Sequence, residues 1–284
     1  LSPDGAFAYV AAGGTDDAIS VFSRNTTVLD VLNFGKLTYQ SERHEGELSG
    51  LGGAASGLDG ARQALVSPDG QHLYVASEES DAVVVFQRNP ATGSLKYLGV
   101  HRDEAVSACV QPTSCVIHSL DGAGALVADP AGANLYVAAQ NDSALSVFLR
   151  AGAPPSFAFA GGQPGSNPPA PVTNGVGGVS GLKAVTEVAV AGPHLYAVSY
   201  GDEVERGSIV AFSRDAATGE LTFVNRLQDG TGGVDGLDGA SALVVYDDNI
   251  YVISQSLTAG DNTVAVFQRN TSTGAVTFLE LHRQ

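Results

Sequence analysis

A tyrosine, a phenylalanine and an arginine recur in one register five times along the chain, and no other feature restricts the fold as much. The tyrosines are Tyr9, Tyr74, Tyr136, Tyr196 and Tyr251, spaced 65, 62, 60 and 55 residues apart. The phenylalanines are Phe22, Phe86, Phe148, Phe212 and Phe267, followed two residues later by Arg24, Arg88, Arg150, Arg214 and Arg269. Five of the eleven arginines therefore hold one position of a repeat. A third marker, Gly-Leu-Asp-Gly-Ala or a relative, stands before a first apolar run at residues 57–61, 119–123, 181–184 and 236–240. Self-similarity at such a period, with four short strands per unit, is the signature of a propeller blade. The expectation is an all-β propeller of four-stranded antiparallel blades. It forms one domain over residues 1–284, with repeats at about 1–61, 62–123, 124–184, 185–240 and 241–284.

Residues 63–99 are the clearest unit. A brief apolar run ends in Ser67-Pro68-Asp69-Gly70, where Pro presets φ, Asp bonds back to the backbone and Gly tolerates positive φ. The next two strands, from His72 and from Ala82, are apolar on both faces and so need cover on each side. A turn at Asn89–Gly93 leads to a fourth, more polar strand from Ser94, suited to an outer edge. The first unit opens inside its first turn, at Leu1-Ser2-Pro3-Asp4-Gly5, so the repeat phase reads as an excerpt or a processed product. An edge strand around Tyr9 would then invite self-association. In the third unit the second hairpin gives way to a Pro/Gly/Ala stretch reaching about Gly178, read as an extended surface loop.

In an up-and-down blade the tight turns gather at one end and the variable loops at the other, and loops on a rigid scaffold are where function concentrates. The variable face is acidic: Asp17, Asp81, Asp142 and Asp261 come from second turns, and Asp59, Asp121 and Asp238 from the linkers. With a net charge of −16, nucleic acid and anionic membrane surfaces are poor partners. No apolar run approaches the ~20 residues that span a bilayer. One reading of the acidity is a solvated surface. The other is calcium, for which Asp229, Asp235 and Asp238 offer carboxylates in a glycine-rich linker, without the spacing of an EF-hand.

The Asp of the linkers reads as a turn cap, and the repeated Arg as a tie from a strand end to a carboxylate or a linker carbonyl, because a catalytic arginine is not needed five times. Cys109 and Cys115 share one linker and are read as a small disulfide ring, conditional on an oxidising compartment; the expected location is secreted, cell-surface or periplasmic. The six histidines form no metal-binding motif, and no nucleophile elbow, phosphate loop or dinucleotide fingerprint is present. Residues opening the first strands, namely Arg62, Gln63, Thr186, Glu187 and Ser241, differ from unit to unit without an evident acid/base pair.

The unit from Val66 to Leu98, and Ala8 to Phe22 with its Tyr-Val-Ala-Ala, resemble the lactonase-like propeller superfamily, which includes 6-phosphogluconolactonase-type and YVTN-repeat propellers. The resemblance implies a ring that is usually seven-bladed and, in its enzymes, opening of sugar lactones by polar residues at the mouth of the central channel. The Cys pair and long linkers are closer to the secreted branch. The leading expectation is a non-enzymatic extracellular scaffold or binding module for a protein or glycan partner, with Asp17, Asp81, Asp142, Asp261, Arg62 and Glu187 on its binding face. The alternative is a sugar-lactone hydrolase, distinguished by a converging polar cluster at the channel mouth.

Overall fold

A computed structural model describes residues 1–30, 32–48, 53–103, 119–150, 170–255 and 262–283. All its regular structure is β, in five antiparallel sheets that follow the repeats. The first sheet has three strands, β1 (Phe7–Ala12), β2 (Ala18–Arg24) and β3 (Leu37–His44). The second runs β4 (Ala61–Val66), β5 (His72–Ser77), β6 (Ala82–Arg88) and β7 (Leu95–Arg102) in spatial order. The third contains β8 (Ala123–Ala128), β9 (Asn134–Ala139), β10 (Ala144–Leu149) and β11 (Val172–Thr173). The fourth contains β12 (Val185–Ala191), β13 (His194–Gly201), β14 (Arg206–Arg214) and β15 (Leu221–Gln228). The fifth contains β16 (Ala240–Tyr246), β17 (Asn249–Gln255), β18 (Asn262–Arg269) and β19 (Val276–Arg283).

One boundary differs from the sequence reading. The stretch read as a loop in the third unit holds β11, whose two residues pair with Ala144 and Leu145 and complete that blade. The fourth strands β7 and β19 run eight residues and carry His101 and His282.

The core lies between blades. Four clusters of buried side chains each join one sheet to the next, and no such cluster joins the first sheet to the fifth among the described residues. Among the described residues the blades therefore form an arc, each packed on the next, in which the first and fifth share no buried cluster. The linker leucines Leu58, Leu120, Leu182 and Leu237 are fully buried in these clusters, which explains why the linker motif recurs. In four of the five blades the third-strand Phe meets a fourth-strand ring edge-on: Phe22 on Tyr39, Phe86 on Tyr97, Phe212 on Phe223 and Phe267 on Phe278, with centroids 5.5–6.2 Å apart. A β-bulge falls at that Phe in all four cases and turns its ring toward the outer strand.

The repeated arginine ties each blade to the one before it. Arg88 is nearly inaccessible; its Nε donates to Tyr9 Oη at 2.7 Å and its Nη1 to the Gly70 carbonyl at 2.9 Å, while Nη2 lies 3.7 Å from Asp4. Arg150 pairs with Asp69 at 2.6 Å and Arg214 with Asp129 at 3.1 Å. Each partner carboxylate belongs to the first turn of the preceding blade, beside that blade's Tyr. The fourth blade turns instead through Gly192-Pro193, so Arg269 keeps Tyr196 as its neighbour and donates to the Asp247 carbonyl.

These ties set a pH dependence. Burial works to raise the Asp69 carboxyl, but hydrogen bonds from Ser67, Gln71 and Arg150 outweigh it and hold it at about 2. A folded-state value below the unfolded 3.8 gives stability that is complete above ~4 and is lost as pH falls toward ~2. The melting-temperature gap between the wild type and Asp69→Asn should therefore be open at pH 6 and close over that interval. A gap unchanged down to pH 2 would show that Arg150 gains nothing from the charge.

The second linker glycine needs its lack of a side chain. Gly239 has φ of +72°, and an added Cβ would stand 2.0 Å from the Gln255 carbonyl oxygen, a backbone atom that cannot swing away. Gly239→Ala should cost at least ~1–2 kcal/mol from the left-handed conformation alone, measured by denaturant unfolding.

Candidate functional site

The inner strands β4, β8, β12 and β16 lie side by side, and each carries a bulge at its second residue. The bulged residues are Arg62, Gly124, Thr186 and Ser241. A bulge inserts one residue, bends the strand and re-aims the side chain, so the same backbone defect places a different group at the axis in each blade. The residues after them alternate in kind: Gln63, Ala125, Glu187 and Ala242.

Blades two and four meet here in front of blade three. The Gln63 carbonyl oxygen accepts the Leu126 N–H, which fixes the amide so that its NH2 is directed to Glu187. Arg62 passes over Gly124, where an added Cβ would lie 3.5 Å from its Cδ. The small blade-three residue thus opens the space that the long blade-two side chain crosses. Arg62 Nη1 donates to Glu78 at 2.5 Å, and its charge also reaches Glu187. Burial pushes the Glu187 carboxyl above the ordinary glutamate value; the Val188 N–H, Gln63 and Arg62 offset this only in part. Thr186 Oγ1 donates to the Ala240 carbonyl at 2.8 Å and Ser241 Oγ to that of Ile253 at 3.3 Å, so both hydroxyls brace the inner strands. The result is a partly buried carboxyl held by an amide beside a guanidinium, a combination suited to moving a proton next to a polarised oxygen.

The acidic loops are arranged differently. Asp17 accepts from the Gly60 N–H at 3.0 Å and Asp81 from that of Gly122 at 2.8 Å, so each second turn caps the linker into the following blade. Both aspartates have positive φ, of 41° and 50°. The cap thus runs from turn to linker, with the linker amide as donor. Asp142 accepts from the Asp121 N–H, and in this blade Ser143 supplies the tie to the next linker at Ala184. Asp103 and Asp142 are raised by burial first and then by neighbouring carboxylates, Asp81 and Asp121 among them. Asp229 is buried; it accepts the Leu237 N–H at 3.0 Å and pairs with Arg206 at 3.2 Å. Asp235 pairs with Arg283. No group of three or more His, Cys, Asp or Glu among the described residues is arranged to hold a metal ion. Asp261, Cys109 and Cys115 lie outside the described residues.

The convergence of Gln63 with Glu187 was not legible in the chain, since they stand two repeats apart; their equal distance from the linker motif was the one available signal. The fourth-strand aromatics Tyr39, Tyr97, Phe223 and Phe278 were also missed, although three of them follow the marker Phe by eleven residues.

Comparison with known proteins bears on the whole arc. The family described as a lactonase, seven-bladed β-propeller, matches residues 1–112. The periplasmic gluconolactonase of Pseudomonas aeruginosa superposes with a TM-score of 0.64 at 19% identity, over 99% of this chain and 68% of its own. A Lactobacillus plantarum protein gives 0.67 at 16% identity over 99% and 69%, and the hydrazine synthase of Kuenenia stuttgartiensis gives 0.58 at 15% over 98% and 64%. No curated protein matches in sequence. The chain has the lactonase-like β-propeller fold. Propellers of unlike activity share that fold, so the function must be argued from the site.

Proposed function

We propose that this protein opens small lactones of the sugar-acid kind at the bulged inner mouth formed by Arg62, Gln63 and Glu187. The observation that carries the reading is Glu187, a carboxyl raised by burial and fixed by Gln63 beside the Arg62 charge. In the reaction, Arg62 donates to the lactone carbonyl oxygen and draws electron density from the carbon. Ionised Glu187 takes a proton from the attacking water as its oxygen bonds to that carbon. The tetrahedral species collapses with cleavage of the ring C–O bond, and the Glu187 proton passes to the departing oxygen, giving the hydroxy acid. A raised carboxyl value matches both halves of this cycle, since one group must accept and then return the proton. A periplasmic or extracellular location fits the acidic surface and the named location of the Pseudomonas relative. The test is release of acid from D-glucono-1,5-lactone above the spontaneous rate, at constant pH. Turnover at the spontaneous rate would sink the reading.

A second reading, a binding module for a cation-bearing protein or glycan partner, is favoured by the crowding of Asp81, Asp103, Asp121 and Asp142 on the loop face, which a bound cation would relieve. A basic side chain of the partner is the cation these carboxylates suit, and calorimetric titration with a poly-lysine peptide tests it. Absence of heat would remove this reading.

A further inference from the structure

One charge pair at the inner mouth occurs in a single blade. In the second to fifth blades the residue after the second strand donates its N–H to the linker just before the inner strand: Glu78 to Gly60, Gln140 to Gly122, Tyr200 to Ala184 and Gln255 to Gly239, at 2.9–3.0 Å. That contact fixes the turn beside the bulge. The residues so matched are Arg62 with Glu78, Gly124 with Gln140, Thr186 with Tyr200 and Ser241 with Gln255. Three of the four blades keep this backbone without a charge, so the fold does not require the Arg62–Glu78 pair. Stability does not require it either, because both side chains are partly exposed and such a pair contributes little.

Arg62 is the only basic residue on β4, β8, β12 and β16. Its Nη1 lies 2.5 Å from Glu78, and the Glu187 carboxyl lies within reach of the same charge. No other cation at the loop end of the blades is left over among the described residues. Arg43, Lys183, Arg206, Arg226 and Arg283 each pair with a carboxylate, and Arg102 is held by the Ser80 carbonyl and the Ser56 hydroxyl. Carboxylates, by contrast, are in surplus. Next to Glu78, the Glu79 carboxyl is pushed up, by Asp59 first and also by Asp17 and Glu78.

We infer that Glu78 is a specificity-determining residue of the mouth: it offsets the Arg62 charge, so that the site takes uncharged lactones and turns away those bearing a phosphate. The inference rests on the lactone reading above and extends it to the charge of the substrate. With Nη1 on Glu78, the guanidinium keeps other N–H groups for the carbonyl oxygen of a neutral ring. A phosphate brought to the same guanidinium would meet two carboxylates at close range.

The experiment measures kcat/KM for D-glucono-1,5-lactone and its 6-phosphate in the wild type, Glu78→Gln and Glu78→Asp. The wild type should prefer the uncharged lactone by at least ~10-fold, the scale of one unit charge acting on a nearby dianion. Glu78→Gln should move that ratio toward the phosphorylated lactone by about 10-fold, and by less at high salt. Glu78→Asp should keep the wild-type ratio. A wild type that prefers the phosphorylated lactone, or a Glu78→Gln variant that changes both substrates equally, overturns the inference. A second arm needs no turnover. In calorimetric titration with millimolar inorganic phosphate the wild type should give no heat, Glu78→Gln should bind, and the double variant Arg62→Ala/Glu78→Gln should not. Equal binding by the wild type and Glu78→Gln likewise overturns it. If no variant turns over either lactone, the proposed activity fails, and the phosphate titration decides whether Glu78 screens Arg62 from anions.

Discussion

Asp129→Ala is expected to be the most damaging single substitution in the chain, costing about 3–5 kcal/mol. The carboxylate is 2% exposed and accepts from the Ala133 N–H at 2.7 Å, from Asn134 Nδ2 at 3.1 Å and from Arg214 across the blade boundary. Removing it strands a guanidinium that is itself 7% exposed, and an unpaired buried charge costs more than the pair contributes. Arg62→Ala makes the contrast. Its pair with Glu78 is exposed, and its loss should change stability by about 1 kcal/mol or less. Urea unfolding of the two variants checks both values. Equal midpoints would mean that the inter-blade arginines do not carry the stability assigned to them.

Glu187→Gln is expected to lower lactone turnover by about 10²–10⁴-fold, the range for loss of a general acid/base. The variant keeps the shape and an acceptor for the Val188 N–H, so the loss should fall on kcat with KM little changed. Stability should hold, since the substitution removes a charge that burial disfavours. Because the carboxyl is raised, wild-type activity should fall as pH drops through a value above that of an ordinary glutamate, and Glu187→Gln should show no such limb. A variant that loses KM and kcat together, or a wild-type profile flat across that range, would move the proton transfer to another group.

The fold was legible because its instructions are repeated. One tyrosine is weak evidence, but five in register with five arginines impose a period, and the period fixes strand count, order and the ends at which the loops collect. The purpose of the arginine was partly legible. Its pairing with a carboxylate followed from its repetition, while the crossing to the preceding blade did not, since no local pattern states which of two flanking turns it reaches. The site was least legible. Its residues are those that break the repeat, and Arg62, Gly124, Thr186 and Ser241 share only a backbone bulge, which sequence periodicity does not register. Glu187 and Arg62 were read only as residues opening the first strands and lining a binding face, with no evident acid/base pair, and assigning them to one cluster needed the intervening glycine to be seen as space.

The fourth blade's Gly192-Pro193 turn divides the molecule unequally. Every other seam is riveted by an arginine–carboxylate tie, whereas this one holds through a buried apolar cluster, the two hydrogen bonds between Asn225 and Val276, and Thr186 on the Ala240 carbonyl. Under load or denaturant the fault line should run there. The last blade would swing loose as a flap while the first four hold as one piece, and backbone amides of β16 and β17 should trade their protons with solvent ahead of those in β8 and β9.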